Sequence, residues 1–357
     1  MLLLFYKIYF EMRQEIIINI NKATLLKALN NMFDSIVSDA THQVESLHGG
    51  TVGNVCKISG EAVFAGDLRC FYTLVLKEQK KWERHGDPDS WRREYGIYQK
   101  IGDLYEVLPD NIRLPKCYLM EELIIDETPA WQMWMEYIGG ISGKNLTIDM
   151  IEYVMTELGK FQGYVCKCKP HILNNISCFS ADSSYYNKDK FIFMFNEVAE
   201  TITPSDCDMI PEHLRDMLTN TDNIENTMSR ISSFPVTLCH RDMWHTNVFL
   251  SGNIITLIDW DCTGWGFVGE DVIQMIGELF DDRVFDVAYF GDYSRRLLSA
   301  YLRGASDYID AGFLTYEIVR DIYTLWGNGL FWRYKYSDSE SEKKRYIDIL
   351  QKMYEIA

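Results

Sequence analysis

The chain has no CxxC pair, and its nine cysteines are scattered, with only a CxC at Cys166 and Cys168. Zinc sites need ligands clustered at regular spacing, and a chain of 357 residues does not depend on disulfides for a core. The thiols therefore read as reduced, mostly buried and cytoplasmic. Long apolar runs are also missing. Met1–Tyr6 is largely apolar, but Lys7 and Glu11 interrupt it, and it has neither a basic leader nor a small-residue cleavage site. It is too short to cross a bilayer and reads either as a first strand or as residues ahead of a start at Met12, so that 1–20 is native structure or an extra beginning. There is no repeat and no low-complexity run. Positive charge is scarce as well: the net charge is −17, with −5 up to Ile138 and −12 from Gly139 onward. Such a surface repels nucleic acid and anionic membranes, which excludes both as partners and leaves small molecules, cationic ones above all. The same acidity also serves plain solubility.

What is present is a globular composition, 47% hydrophobic, 14% aromatic and 24% charged, enough for two lobes with a core each. Leu25, Leu26, Leu29, Phe33 and Val37 recur at helical spacing over Thr24–Val37. A glycine-bearing stretch, Leu47–Val55, precedes strand-like runs at Glu61–Phe64 and Arg69–Lys77. Asp87-Pro-Asp-Ser90 reads as a turn opening a helix over Trp91–Ile101, and Trp131–Ile138 as a buried strand ended by Gly139-Gly140. Beyond it, Ile151, Val154, Leu158 and Phe161 mark a helix face, and Val236–Leu238 a short strand. Val248–Leu250 and Ile254–Ile258 form a hairpin across Ser251-Gly-Asn253, with helices dominating from Asp271. Strands first and helices after give an α+β chain. A small N-terminal lobe with an antiparallel sheet spans 1–138, and a larger, mostly helical C-terminal lobe spans 139–357.

The strongest signal is His240-Arg-Asp-Met-Trp-His-Thr-Asn247 followed by Ile258-Asp-Trp-Asp261. The first fits H-R-D-x-x-x-x-N. A carboxylate, Asp242, stands where an acceptor hydroxyl can be oriented and relieved of its proton. Five residues on, Asn247 offers a neutral oxygen to a divalent ion, and Asp259, twelve further, adds negative charge to the same cluster. The hairpin between Asn247 and Asp259 brings the two together.

At these residues the chain resembles the aminoglycoside phosphotransferase and choline kinase superfamily, which shares the protein-kinase fold. Ile258-Asp-Trp-Asp-Cys-Thr-Gly-Trp-Gly266 is similar to that family's I-D-W-E-x-x-G-x-G. The resemblance covers about Leu47 to Asp271. It implies a two-lobed protein-kinase-like fold, with Asp242 as catalytic base and Asn247 and Asp259 as Mg2+ ligands. His240 and Asp261 would support them, and Asp271 would be the buried acid opening the next helix. Upstream, Lys77 ends an apolar strand and Glu94 lies in Arg92-Arg-Glu-Tyr95. As an ion pair they would hold the lysine toward the phosphates of ATP or GTP. Gly50 and Gly53, with Gly49, would let the backbone approach the nucleotide, and Glu136, Tyr137 and Ile138 resemble the hinge that pairs with the base. The implied activity is a cytoplasmic transferase moving the γ-phosphoryl group to a small-molecule hydroxyl.

The chain also departs from the pattern. Arg241 follows the protein-kinase form, yet the stretch from Asp259 to Asp271 leaves no room for a long activation segment, and no A-P-E follows. Phe267 stands where relatives often carry Asp. For the acceptor, Glu278, Asp281, Asp282 and Asp286 together with Trp265, Trp326, Trp332 and Tyr334 are candidates, since carboxylates suit a cation and aromatics stack on a sugar or face an ammonium. The same aromatics also suit helix packing. A catalytically inactive kinase-fold scaffold, of the spore-coat-associated kind, is the competing reading. Retention of Lys77, Glu94, Asp242, Asn247 and Asp259 speaks against it.

Overall fold

The computed structural model describes residues 20–47, 53–82, 90–168, 188–310 and 312–356. The elements of its first part are α1 (Lys22–Phe33), β1 (Val37–Ala40), β2 (Gln43–Ser46), β3 (Asn54–Phe64), β4 (Arg69–Lys80), α2 (Arg93–Gln99), α3 (Ile101–Tyr105), β5 (Ile112–Arg113), β6 (Cys117–Ile125), β7 (Thr128–Glu136) and β8 (Ile141–Ser142). There follow α4 (Ile148–Cys168), α5 (Lys188–Thr201), α6 (Pro204–Met209), α7 (Glu212–Thr219), α8 (Asp222–Ile231), β9 (Val236–Cys239), β10 (Val248–Ser251), β11 (Ile254–Leu257) and β12 (Gly264–Phe267). The chain closes with α9 (Glu270–Asp281), α10 (Phe290–Ala305), α11 (Tyr316–Tyr336) and α12 (Glu340–Tyr354). The main sheet lies in the first part of the chain and most of the helices in the rest, an α+β arrangement. Two compact units result: the described residues up to Gln99 with Leu114–Gly139, and Lys100–Arg113 with the residues from Gly140. The opening residues, Gly49 and Gly50 lie outside the described residues.

The first unit is built on an antiparallel sheet of order β1-β3-β4-β7-β6, with β2 also paired to β3. Alternation sets its inner face: Tyr72, Leu74 and Leu76 of β4 are buried and pack with Ile58, Ala62 and Trp134. Helix α1 covers this face through Leu25, Ala28 and Leu29, each buried leucine contributing about 1.5–3 kcal/mol. Asn21 caps its start by accepting the Ala23 and Thr24 amides. Its end differs from the periodicity. Asp34 turns left-handed at φ 47°, and the Asn30 side chain accepts the Val37 amide at 2.7 Å, so Val37 opens a strand instead of closing the helix. Strand β7 stops at Glu136, two residues short of the expected Ile138.

In the second unit α4 and α10 cross at backbone contact. A Cβ on Gly159 would lie 2.1 Å from the Tyr301 carbonyl oxygen, and one on Gly304 would lie 2.0 Å from that of Thr156. Only glycine permits this approach. It brings the buried Tyr301 beneath β9 and the start of α9. A four-stranded sheet of order β5-β11-β10-β8, with β5 parallel to β11, and the pair β12-β9 frame the loops between them.

Candidate active site

The site begins with a hairpin. β10 and β11 pair from Val248↔Leu257 to Ser251↔Ile254, and Gly252 at φ 60° makes the tight turn. At the open end the Ile258 amide donates to the Asn247 carbonyl at 3.0 Å, so residues on either side of the hairpin meet. Asp259 follows in a left-handed conformation, φ 65°, which short polar side chains tolerate. Trp260 is fully buried, donates its indole N–H to the Leu257 carbonyl and packs edge-on against His240 at 4.8 Å.

His240 ties the two motifs. Its Nε2 lies 3.0 Å from the Ile258 carbonyl oxygen, an atom that only accepts, so Nε2 carries the proton. Burial holds its pKa below the ordinary value against the pull of Asp271 and Asp259, so the ring is neutral near pH 7. Asn247 donates through Nδ2 to both the carbonyl and the Oδ2 of Asp242, each at 2.9 Å, which leaves its own Oδ1 to act as acceptor. Asp242, Asp259 and Asp261 each present a carboxylate oxygen within 4.8 Å of one another, all half-buried. An all-oxygen group of this kind suits a hard divalent cation such as Mg2+, with Asn247 as a further oxygen donor.

The first turn of α9 holds this loop from beneath. Asp271 accepts the His240 and Arg241 amides, each at 2.8 Å, and the Gln162 side-chain amide at 2.7 Å. Tyr301 donates its hydroxyl to Gln162 at 2.6 Å and accepts the Gly269 amide at 2.9 Å. Gln274 accepts the Met243 amide at 3.0 Å. Arg241 is left-handed at φ 62° and donates Nε to Glu270 at 3.0 Å. Burial pushes the Glu270 carboxyl up to about 7 against the Arg241 guanidinium. Glu270, Gln274, Gln162 and Tyr301 escaped the sequence reading. Only the pair of acids opening a helix hinted at Glu270.

The acceptor candidates divide. Asp281 is buried and ion-paired with Arg333, and Trp332 is 3% exposed, so both pack within the unit. Asp282 lies 3.8 Å from His245, whose buried ring is held below its ordinary pKa. Glu278 is pushed up to about 8 by burial and then by Asp281, with Asp282 and Asp242 adding to it and Arg333 opposing. Among these candidates and their neighbours, Nδ1 of His245, Oε2 of Glu278, Oδ1 of Asp281 and Nε1 of Trp332 are buried without a hydrogen-bond partner. Trp265 is half-buried in β12. Trp326 lies in α11, but its side chain is outside the described residues.

In the first unit Lys77 of β4 forms an ion pair with Glu94, in the first turn of α2, and both are largely buried. The Trp131 indole fastens the segment before α2 by donating to the Trp91 carbonyl at 2.6 Å. A Cβ on Gly53 would meet Gln79 Oε1 at 2.8 Å and the Glu78 carbonyl at 3.0 Å, so its close approach is to β4. Glu136 accepts the Lys116 amide at 3.0 Å, and Lys57 stands over the exposed Tyr137 ring at 5.5 Å. Ile138 is half-buried, and Gly50 is outside the described residues.

Residues 206–311 match the model of the phosphotransferase enzyme family. No curated protein matches the chain as a relative. Among solved structures it is similar to an amicoumacin kinase in complex with AMP-PNP and Ca2+, at 14% identity and a TM-score of 0.57, with 94% of each chain covered. An aminoglycoside 2'-phosphotransferase-IIIa bound to GDP is similar at 15% identity and 0.54, covering 94% of this chain and 99% of that one. A choline kinase from Cryptosporidium parvum Iowa II follows at 13% and 0.52, with 94% and 96% covered. The fold of the chain is thus kinase-like, as in these solved structures, and among its described residues no helix is long and apolar enough to cross a membrane.

Proposed function

We propose that the chain is a small-molecule kinase that transfers the γ-phosphoryl group of ATP or GTP to a hydroxyl of a small, cationic or amino-bearing acceptor. The observation that carries the reading is the group formed by Asp242, Asp259 and Asp261, beside an asparagine already hydrogen-bonded to Asp242. Asp242 accepts the acceptor's proton and aligns its oxygen. Asn247 holds that carboxylate in place through Nδ2 and presents Oδ1 to the cation, and Asp259 and Asp261 complete the oxygen donor set. Magnesium bound there would offset the charge on the phosphate oxygens. Lys77, fixed by Glu94, contacts the α- and β-phosphates, and the backbone of Glu136–Ile138 pairs with the base. Support comes from the relatives' own ligands, AMP-PNP with Ca2+ and GDP, and from the part-exposed Asp282 carboxylate beside His245, which favours a cation. The absence of a CxxC pair supports a reducing, cytoplasmic setting.

The test is nucleoside diphosphate release by the purified protein with Mg2+ across aminoglycosides, choline, ethanolamine, other amino-alcohols and neutral sugars. Release that depends on an amino-bearing acceptor and is lost in Asp242→Ala supports the proposal. Release with neutral sugars alone removes the cationic acceptor. No release with any acceptor, together with no Mg2+-dependent nucleotide binding, points to a scaffold.

A further inference from the structure

Asp242 sits in a loop whose backbone is held residue by residue from one neighbouring helix turn. The amides of His240 and Arg241 donate to Asp271, and that of Met243 donates to Gln274. The position immediately before Asp242 is the strained one. Arg241 adopts φ 62°, a region that disfavours a residue with a Cβ. A large cation is also buried there: Arg241 keeps 4% of its side-chain surface, and its partner Glu270 keeps 1%. A guanidinium so placed is stable only with a counter-charge. Glu270, the first residue of α9, takes the Nε–H on Oε1 at 3.0 Å and supplies that charge when its carboxyl, pushed up to about 7 by burial, is ionised.

We propose that Glu270 is a positioning residue for phosphoryl transfer, acting through Arg241. By anchoring the guanidinium it holds the left-handed turn from which the Asp242 carboxylate is aimed. The kinetic consequence rests on the phosphotransferase reading, whereas the structural consequence does not. Glycine occupies φ 62° without strain, so a glycine at 241 needs no anchor. That difference separates positioning from bulk stability.

Four proteins test it: the wild type, Glu270→Gln, Arg241→Gly and the double variant Arg241→Gly/Glu270→Gln. Glu270→Gln keeps the shape and an acceptor oxygen but removes the charge. We expect its kcat to fall about tenfold, with KM for nucleotide and acceptor within about twofold, because an aimed base acts in the transition state more than in binding. The double variant should recover to within about threefold of wild type. Amide exchange read by mass spectrometry on the peptide covering 239–247 should rise about tenfold in Glu270→Gln and return in the double variant, with α10 unchanged in both. Arg241→Gly alone, which leaves Glu270 buried without its cation, guards against a general effect of the glycine: it should unfold earlier than the double variant. A double variant no better than Glu270→Gln, or a Glu270→Gln protein with wild-type kcat and wild-type exchange, overturns the assignment. If the wild type turns over no acceptor, the phosphotransferase reading fails. The exchange data then decide the anchoring role alone: unchanged exchange overturns it, and a reversible rise supports it.

Discussion

Glu278 should make the protein less stable as the solution becomes less acid, and Glu278→Gln should remove that dependence. The carboxyl is pushed from 4.5 to about 8 by burial first, then by Asp281, Asp282 and Asp242, with Arg333 in partial opposition. Its Oε2 is buried without a hydrogen-bond partner. The folded protein therefore holds a proton between about 4.5 and 8 that the unfolded chain has released. Stability contributed by this group is complete below 4.5 and is lost as pH rises through 8. One bound proton corresponds to about 1.4 kcal/mol per pH unit, so the loss across the window is several kcal/mol. Glutamine copies the neutral form. Urea denaturation followed by tryptophan fluorescence, in a chelator so that no cation occupies the Asp242 group, should give similar midpoints for the two proteins near pH 4.5. The midpoints should separate in favour of the variant by pH 8. Glu270 and His240 titrate in both proteins and cancel in the difference. A difference between the two curves that stays constant from pH 4.5 to 8 would refute the reasoning, because the carboxyl would then be ionised throughout.

Other expectations concern the reaction and the frame. Asp242→Ala should lower kcat about a hundredfold or more while nucleotide affinity, measured by calorimetry, stays nearly intact. Asp259→Ala should instead weaken Mg2+-nucleotide binding at least tenfold; unchanged binding removes it from the donor set. Gly304→Ala drives a methyl group into the Thr156 carbonyl and should lower the thermal midpoint by several degrees or prevent folding, whereas Gly252→Ala, with nothing within 4 Å of its new carbon, should pay only for its left-handed turn.

Legibility in the sequence followed locality. The hairpin was readable because its turn and both apolar runs lie within Val248–Leu257, and a contiguous stretch from His240 to Asp261 carries the carboxylates that meet. The helix expected over Thr24–Val37 overran because apolar spacing continues past Phe33. What ends it is the left-handed Asp34 and the Asn30 side chain, which a periodicity cannot see. Strand β6 passed unnoticed because neither of its faces is deeply buried, so no apolar alternation marks it. Glu270 was hidden for another reason. Its partner Arg241 lies 29 positions away, and a buried ion pair leaves no spacing to recognise. Gln162 and Tyr301, separated by 139 positions, are the same case in neutral form.

The near-touching backbones of α4 and α10 have a consequence for how this unit comes apart. Two helices separated by hydrogen atoms alone cannot slide past each other or admit water between them without first separating entirely. Tyr301 and Gln162 ride on those helices and are joined to each other and to Gly269 and Asp271, so the seam and the anchor of the His240–Met243 loop open together or not at all. Deuterium should therefore enter Gly159, Gln162, Tyr301 and the Asp271 turn last in the unit and at one shared rate. A thermal scan would lose activity and this slowest-exchanging block in the same step.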